Sequence, residues 1–292
     1  MLSVLIPTYN YNAFFLVDEI HQQLILANIT FEIICFDDGS KAELNAENEQ
    51  INSLKNARFK ALENNIGRSA IRNLLAKEAS YKWLLFLDAD VLPANNLFIK
   101  NYIACFEHNK TVFCGGLLYQ HKKENLNLLR YKYGKKHEEI SLKIRSQNPN
   151  KYFFTSNFLI EKEVFKNVIF EEKLKKYGRE DYLFSLKLIK KGYKIAHLQN
   201  EVYHLGIDDN NFFVAKTKKA MENLVFLEQE KLIDKDEIAL LNFTKKLKRL
   251  KLSKFVGNFY PTFEKLAINK SNVFYLNCMK VCYVCFLKSR NE

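Results

Sequence analysis

The sequence predicts an α/β protein: a mostly parallel sheet with flanking helices, followed by a helical, basic C-terminal extension. Three observations point there. Through the first half, short β-rich apolar runs alternate with helical patterns, the order that builds parallel strands joined by crossover helices. Two of those runs, Ile33-Ile34-Cys35-Phe36 and Leu84-Leu85-Phe86-Leu87, are apolar without interruption, as strands covered on both faces must be. Past residue 210 the composition turns to a Lys/Glu/Leu helical pattern. The 292 residues therefore read as a domain over 1–210 and a helical basic region over 211–292. Hydrophobic residues at 48% and charged residues at 27% supply ample core material and exclude a disordered or collagen-like chain.

Taken in order, residues 3–7 form the first strand, 13–27 a helix and 31–36 the second strand. A Glu/Asn-rich segment then leads to a strand at 58–62, a helix at 67–79 and a strand at 83–87. From residue 98 the alternation loosens into an apolar run at 111–119, a basic stretch of helical pattern at 125–145, and apolar runs at 152–160 and 194–198. No internal repeat or low-complexity linker interrupts the chain.

In an open parallel sheet, ligands bind beyond the carboxyl ends of the strands. Pro7-Thr8-Tyr9-Asn10, Asp37-Asp38-Gly39-Ser40 and Asp88-Ala89-Asp90 sit at three such ends, so they are expected to converge. The alternate carboxylates of Asp88 and Asp90 suit a hard divalent cation, magnesium or manganese, held by few protein oxygens plus substrate phosphates. Alone, such a pair is as readily a solvated loop or a helix cap; its place after an all-apolar strand favours a site. Asp37 and Asp38 suit an Asx turn with Gly39 at positive φ. A carboxylate there also accepts hydrogen bonds from a ribose hydroxyl or a pyrimidine N–H, with Tyr9 as a stacking face. Glu180-Asp181 opens a helix patterned by Leu183, Leu186, Leu188 and Ile189. The helix dipole favours carboxylates at that point, and one fixed there also makes a general base. His204 follows a β-like stretch and, as a neutral imidazole, can complete a metal site begun by Asp90.

The net charge of +12 favours anionic partners. No zinc-finger spacing or RNP-like strand appears, so nucleic acid is not an expected partner. No G-x-G-x-x-G follows the first strand and no G-x-x-x-x-G-K occurs, which sets dinucleotide-dependent oxidoreductases aside. Met1 is followed at once by strand residues without a basic n-region, so the chain is expected to start inside its first strand and to be cytoplasmic. No apolar run reaches the roughly 18 residues of a membrane span. Cys35, Cys105 and Cys114, set among apolar neighbours, read as small buried hydrophobes in a reducing compartment.

Five blocks in order resemble the family 2 glycosyltransferases of the GT-A fold, from residue 2 to 206. Val4-Leu5-Ile6-Pro7-Thr8-Tyr9-Asn10 is similar to that family's first strand and Ile33-Ile34-Cys35-Phe36-Asp37-Asp38-Gly39-Ser40 to its second. Asn64-Asn65-Ile66-Gly67-Arg68-Ser69-Ala70-Ile71-Arg72-Asn73 resembles the stretch before the metal motif, and Leu87-Asp88-Ala89-Asp90 the metal motif itself. Gly178-Arg179-Glu180-Asp181-Tyr182 resembles the start of the acceptor-side helix; Ile71 stands where an alanine is more usual. The resemblance implies that Pro7, Thr8, Tyr9, Asp38, Arg72, Asp88 and Ala89 belong to the nucleotide site. Pro7 and Tyr9 would line the base pocket, Asp38 would bond the base and Asp88 the ribose or sugar. Arg72 would contact the nucleotide or anchor the metal loop. Asp90, with His204 as a further ligand, would hold Mn2+ or Mg2+. Asp181 would be the catalytic base, with Glu180 beside it. The implied reaction is an inverting transfer from a nucleoside-diphosphate sugar, UDP-linked by family habit, to a hydroxyl of a saccharide or lipid-linked saccharide in cell-envelope polysaccharide synthesis. A sugar nucleotidyltransferase, or a non-catalytic sugar-nucleotide-binding protein, would use many of the same residues.

Cys278, Cys282 and Cys285 spell C-x3-C-x2-C, a spacing that resembles the cluster motif of radical S-adenosylmethionine enzymes. Its place at the far end of the chain argues against that use. The plainer expectation is an apolar, aromatic-rich helix over 273–287, too short to span a bilayer. Together with the basic run at 245–251 it either lies on an anionic membrane surface, making the protein peripheral there, or packs on the domain.

Overall fold

In the computed structural model, which describes residues 1–41, 43–234 and 238–290, the apolar runs of the first half become strands β1 (Leu2–Thr8), β2 (Phe31–Asp37), β3 (Ala57–Ala61) and β4 (Trp83–Leu87). They are followed by β5 (Val91–Pro93), β6 (Thr111–Cys114), β7 (Leu117–Leu118), β8 (Asn157–Glu161), β9 (Lys194–His197) and β10 (Val202–His204). Among the described residues the main sheet has seven strands in the order β3-β2-β1-β4-β8-β6-β9. β1 pairs in parallel with both β2 and β4, β3 continues the parallel run, and β8 alone runs antiparallel to its neighbours β4 and β6. A three-stranded sheet, β5-β10-β7, stands apart.

The unbroken apolar runs have the reason expected of them. On one face of the sheet Val4, Ile6, Ile33, Cys35, Leu85 and Leu87 pack with Leu16, Val17 and Ile20 of the helix Phe14–Ala27. On the other, Leu5, Ile34, Phe36, Leu84 and Phe86 pack with Ile71 and Leu75 of the helix Arg68–Glu78. Phe86 lies flat on Phe158 at 4.7 Å, and Phe170 on Phe184 at 4.2 Å. Ile71 is buried in this second core, where its extra bulk over alanine fills space.

Two stretches divide differently from the sequence pattern. The apolar run 111–119 breaks at Gly115-Gly116, so that β6 joins the large sheet and β7 the small one. A Cβ on Gly115 would lie 2.1 Å from the Asn200 carbonyl oxygen, and Gly116 sits at φ +91° with the Arg145 guanidinium against it. Only glycine fits either position. The basic stretch 125–145 forms two helices, Leu129–His137 and Leu142–Gln147, and Arg145 of the second is fully buried.

The chain folds as two compact units, one of residues 1–120, 137–175 and 180–206, the other of 121–136, 176–179 and 207–292. Composition alone drew a single line near 210. Segment 121–136 joins the second unit through a helix whose Leu129 N–H donates to Asn210 Oδ1 at 2.8 Å. Segment 176–179 joins it because the Asn223 amide donates to the carbonyls of Lys176 and Gly178 at 2.9 and 2.7 Å. Within this unit the tail is the helix Val273–Arg290, with Leu276, Met279, Cys282, Val284 and Cys285 buried. Tyr283 donates its hydroxyl to Glu222 at 2.6 Å. The tail therefore packs against its own unit, and its cysteines lie along one helix with burial pushing their thiols up. No helix of the described residues is long and apolar enough to cross a membrane.

Candidate functional site

Register brings the three polar clusters to one edge of the large sheet. Thr8 is paired with Asp37 across β1 and β2, and Leu5 with Phe86 across β1 and β4, so these parallel strands end side by side. Asp37 is buried and shapes the turn that follows. Its carboxylate accepts from the Ser40 N–H at 2.8 Å, the Ser40 hydroxyl and Asn45 Nδ2. Gly39 closes that turn at φ +71°, with the Asn64 backbone carbon only 2.5 Å from where a Cβ would stand. Asp38 points the other way and holds the loop that enters the helix Arg68–Glu78, accepting from Ile66 N–H at 2.8 Å and Gly67 N–H at 3.1 Å. Burial pushes its carboxyl up, and those two N–H groups and Arg68 draw it back only in part. Each oxygen keeps a second lone pair for a ligand. Thr8 is buried and donates to the Tyr11 carbonyl at 3.0 Å. Pro7 is partly buried beside it, and Tyr9 is 53% exposed at the edge.

Two arginines join the acidic groups. Arg72, 2% exposed, donates from Nη2 to Asp88 Oδ1 at 2.6 Å and lies 3.9 Å from Glu180 Oε1. Arg68 lies 3.8 Å from that same Glu180 oxygen. Burial alone would raise the Asp88 carboxyl; the charges of Arg72 and Arg68, the Arg72 hydrogen bond and His204 outweigh it and hold Asp88 below the usual carboxylate range. Asp38, Asp88 and Glu180, from three distant parts of the chain, thus all sense Arg68. Glu180 is itself buried, and its Oε2 has no hydrogen-bond partner among the described residues. Asp181 follows it, half-buried in the first turn of the helix Glu180–Lys190. Gly178 and Arg179, both at positive φ (+89° and +78°), turn the chain into that helix.

Ala89 turns its methyl into the core, which leaves Asp88 and Asp90 on the outward side. The β5-β10-β7 sheet sets the partner of Asp90. β10 runs antiparallel to β5 with His204 opposite Val91, Leu205 N–H donates to the Asp90 carbonyl at 2.8 Å, and His204 Nε2 stands 3.6 Å from Asp90 Oδ2. Tyr119 stacks on the imidazole at 5.5 Å, and its hydroxyl is held by Glu138. Gly206 leaves room for this carboxylate: a Cβ would fall 2.2 Å from Asp90 Oδ2. One carboxylate and one imidazole side by side suit a first-row divalent ion such as manganese, with oxygen ligands still to come from substrate and water. Among the described residues no third His, Cys, Asp or Glu joins them.

Behind this small sheet lies a polar network. Arg145 Nη2 donates to Glu201 Oε1 at 2.8 Å and to the Leu198 carbonyl at 3.1 Å. Asn157 accepts from the Tyr102 hydroxyl at 2.6 Å and donates to the Gly116 and Asn200 carbonyls. Sequence reasoning passed over Arg68, Tyr119, Glu138 and Arg145 as site-building residues. Arg68 lies in the segment 64–73 and Gly115-Gly116 interrupts an apolar run, but nothing local marks which basic residue turns inward. His197 belongs to this network, bonded through Nε2 to the Pro149 carbonyl at 3.0 Å. An open cleft of about 820 Å³ runs along the outer side of the helix Arg68–Glu78, lined by Asn65, Ala70, Lys77 and Glu172 among others; none of the candidate carboxylates lines it.

Comparison with known proteins follows the same lines. Residues 3–169 match the sequence model of glycosyl transferase family 2. No curated protein sequence matches the chain. S. aureus TarS 1–349 in complex with UDP-GlcNAc superposes with a TM-score of 0.52 at 16% identity, over 99% of this chain and 92% of that one. The mannosyltransferase PcManGT from Pyrobaculum calidifontis, in complex with GDP-Man and Mn2+, gives 0.56 at 12% identity, over 98% and 86%. GalNAc-T7 with UDP, GalNAc and Mn2+ gives 0.51 at 17%, over 71% and 43%. The chain spans 39% of the longer S. aureus TarS structure and 43% of GalNAc-T7. At these identities the likeness is one of fold.

Proposed function

The chain belongs to glycosyl transferase family 2 and has a GT-A fold, and from this we propose that it transfers a sugar, with inversion, from a nucleoside diphosphate to a hydroxyl of a saccharide or lipid-linked saccharide, in cell-envelope polysaccharide synthesis. The observation that carries the reading is the pair of arginines joining the end of β4 to the start of the helix Glu180–Lys190. They hold together acidic groups that would otherwise repel one another, and they fix the donor side and the acceptor side of one site.

Each residue then has a task. Asp38 and Tyr9 meet the base, and a carboxylate facing a pyrimidine N–H favours uridine. Asp88, kept ionised by Arg72, accepts from a ribose or sugar hydroxyl. Asp90 and His204 would hold Mn2+ or Mg2+, which supplies positive charge to the diphosphate as the bond to the sugar breaks. Asp181 takes the proton of the acceptor hydroxyl, whose oxygen attacks the anomeric carbon from the face opposite the diphosphate. Glu180, tied to both arginines, sets where that helix begins. Holding donor and acceptor together provides a large share of the acceleration. The complexes of TarS with UDP-GlcNAc and of PcManGT with GDP-Man and Mn2+ support a nucleotide-sugar donor and a divalent ion.

The test is thermal unfolding with UDP or GDP, each with and without manganese. Stabilisation by one diphosphate that needs the metal is expected, because a ligand of the native state raises its melting temperature; hydrolysis of the matching donor sugars should follow. No shift with either nucleotide would sink the reading.

A further inference from the structure

One stretch of the second unit combines two kinds of exposure. Between residues 238 and 263 the chain carries Lys245, Lys246, Lys248, Arg249, Lys251 and Lys254 and no Asp or Glu. The same stretch exposes Phe243 by 50%, Leu250 by 66% and Phe255 by 64%, with Leu252 and Phe259 also open to solvent. The arrangement follows from helix geometry. Phe243 and Lys246 fall on one face of the helix Ala239–Arg249, away from its buried Leu241 and Thr244, and Leu250 follows at its C-terminal end. After the turn at Lys251, Phe255 and Phe259 stand one turn apart with their rings edge to face at 5.1 Å. Monomeric proteins rarely leave large apolar side chains clustered in water unless something covers them. The tail helix is not the source of this surface, since its apolar side is buried within the unit.

We propose that residues 243–259 form a docking surface for a membrane rich in anionic phospholipid. Charge selects the occupant. A second copy meeting this face about a two-fold axis would set basic residues against basic residues. A nucleic acid would answer the charge but offer no apolar phase to Leu250 and Leu252. An anionic bilayer answers both: the lysines and arginine reach the phosphates while the leucines and phenylalanines enter the acyl boundary. The inference stands apart from the catalytic reading, and its test measures no turnover.

The intact chain is sedimented with vesicles of phosphatidylcholine alone or mixed with phosphatidylglycerol. Binding only to the anionic vesicles, weakening with added salt, is expected. Each basic residue near such a surface strengthens binding by about five-fold, so R249E/K251E should lower the partition about twenty-five-fold or more. F255S/F259S should lower it as well, whereas F274S, which removes the 66% exposed phenylalanine of the tail helix, should not. Failure to sediment with anionic vesicles, binding by both double variants undiminished from that of the wild-type chain, a dimer dispersed by F255S/F259S, or preference for a short RNA over the vesicles would each overturn the proposal.

Discussion

Asp181 and Gly206 show how differently two residues serve one site. In the proposed mechanism Asp181 is the base, so D181N should keep metal-dependent stabilisation by the donor nucleotide. Its kcat should nevertheless fall by roughly 10²–10⁴, the usual worth of a general base; unchanged transfer in a steady-state assay would remove Asp181 from the mechanism. Gly206 touches no substrate in this reading. It leaves the space that the Asp90 carboxylate occupies, 2.2 Å from where a Cβ would stand. G206A should therefore turn Asp90 away from His204 and raise the manganese concentration for half-maximal activity by about ten-fold or more, as loss of support around a metal ligand does. Its melting temperature should change little, which separates a moved ligand from a damaged fold.

At the scale of elements, the small sheet β5-β10-β7 exists because one apolar run is broken in two. Gly115-Gly116 lets the chain leave the large sheet after β6, and Arg145 packs into the bend it makes. Alanine at 116 would sit in the left-handed region, which costs roughly 1–3 kcal/mol, and would also push the guanidinium from its carbonyl partners. G116A is thus expected to lower the melting temperature by roughly 2–4 °C for each kcal/mol lost. Because β10 carries His204, metal affinity should fall with it; thermal unfolding and metal titration of the one variant check both. Arg145, which the sequence places in a basic helical pattern, is fully buried and held by Glu201 and the Leu198 carbonyl.

Over the whole molecule, the +12 charge hides a compensated interior. Asp88 sits below the ordinary carboxylate range, so its folded value is depressed. The stability it contributes is present above its unfolded value and is lost as pH falls through the folded one. Glu171 and Glu222, lowered by their lysine partners against the opposing effect of burial, act with the same sign. Melting temperature should therefore decline as pH drops below about 4, where carboxylates ordinarily titrate. R72M tests the account, since it leaves Asp88 and Glu180 without their buried counter-charge and should cost roughly 3–5 kcal/mol at neutral pH. It should also flatten the acid limb, because the raised Asp88 carboxyl no longer loses a partner there. Melting curves from neutral to acid pH decide it; an R72M profile parallel to wild type would show that Arg72 does not control Asp88.

The sequence by itself determined the first four strands and where the acidic groups sit along the chain. Runs such as 33–36 and 83–87 are apolar on every residue because both faces are covered, and that requirement is written locally. It also placed Asp88, Asp90 and Asp181 at the ends of elements, since carboxylates gather where strands stop and helices start. What it left open depends on residues far apart in the chain. Nothing near Arg72 says that its charge will be buried against Asp88 and Glu180, nothing in 111–119 says which half joins which sheet, and the tail's apolar character is the same whether it meets lipid or its own unit. Those choices were made by tertiary packing, because the energy of a buried charge or an apolar face depends on what is brought against it from elsewhere in the fold.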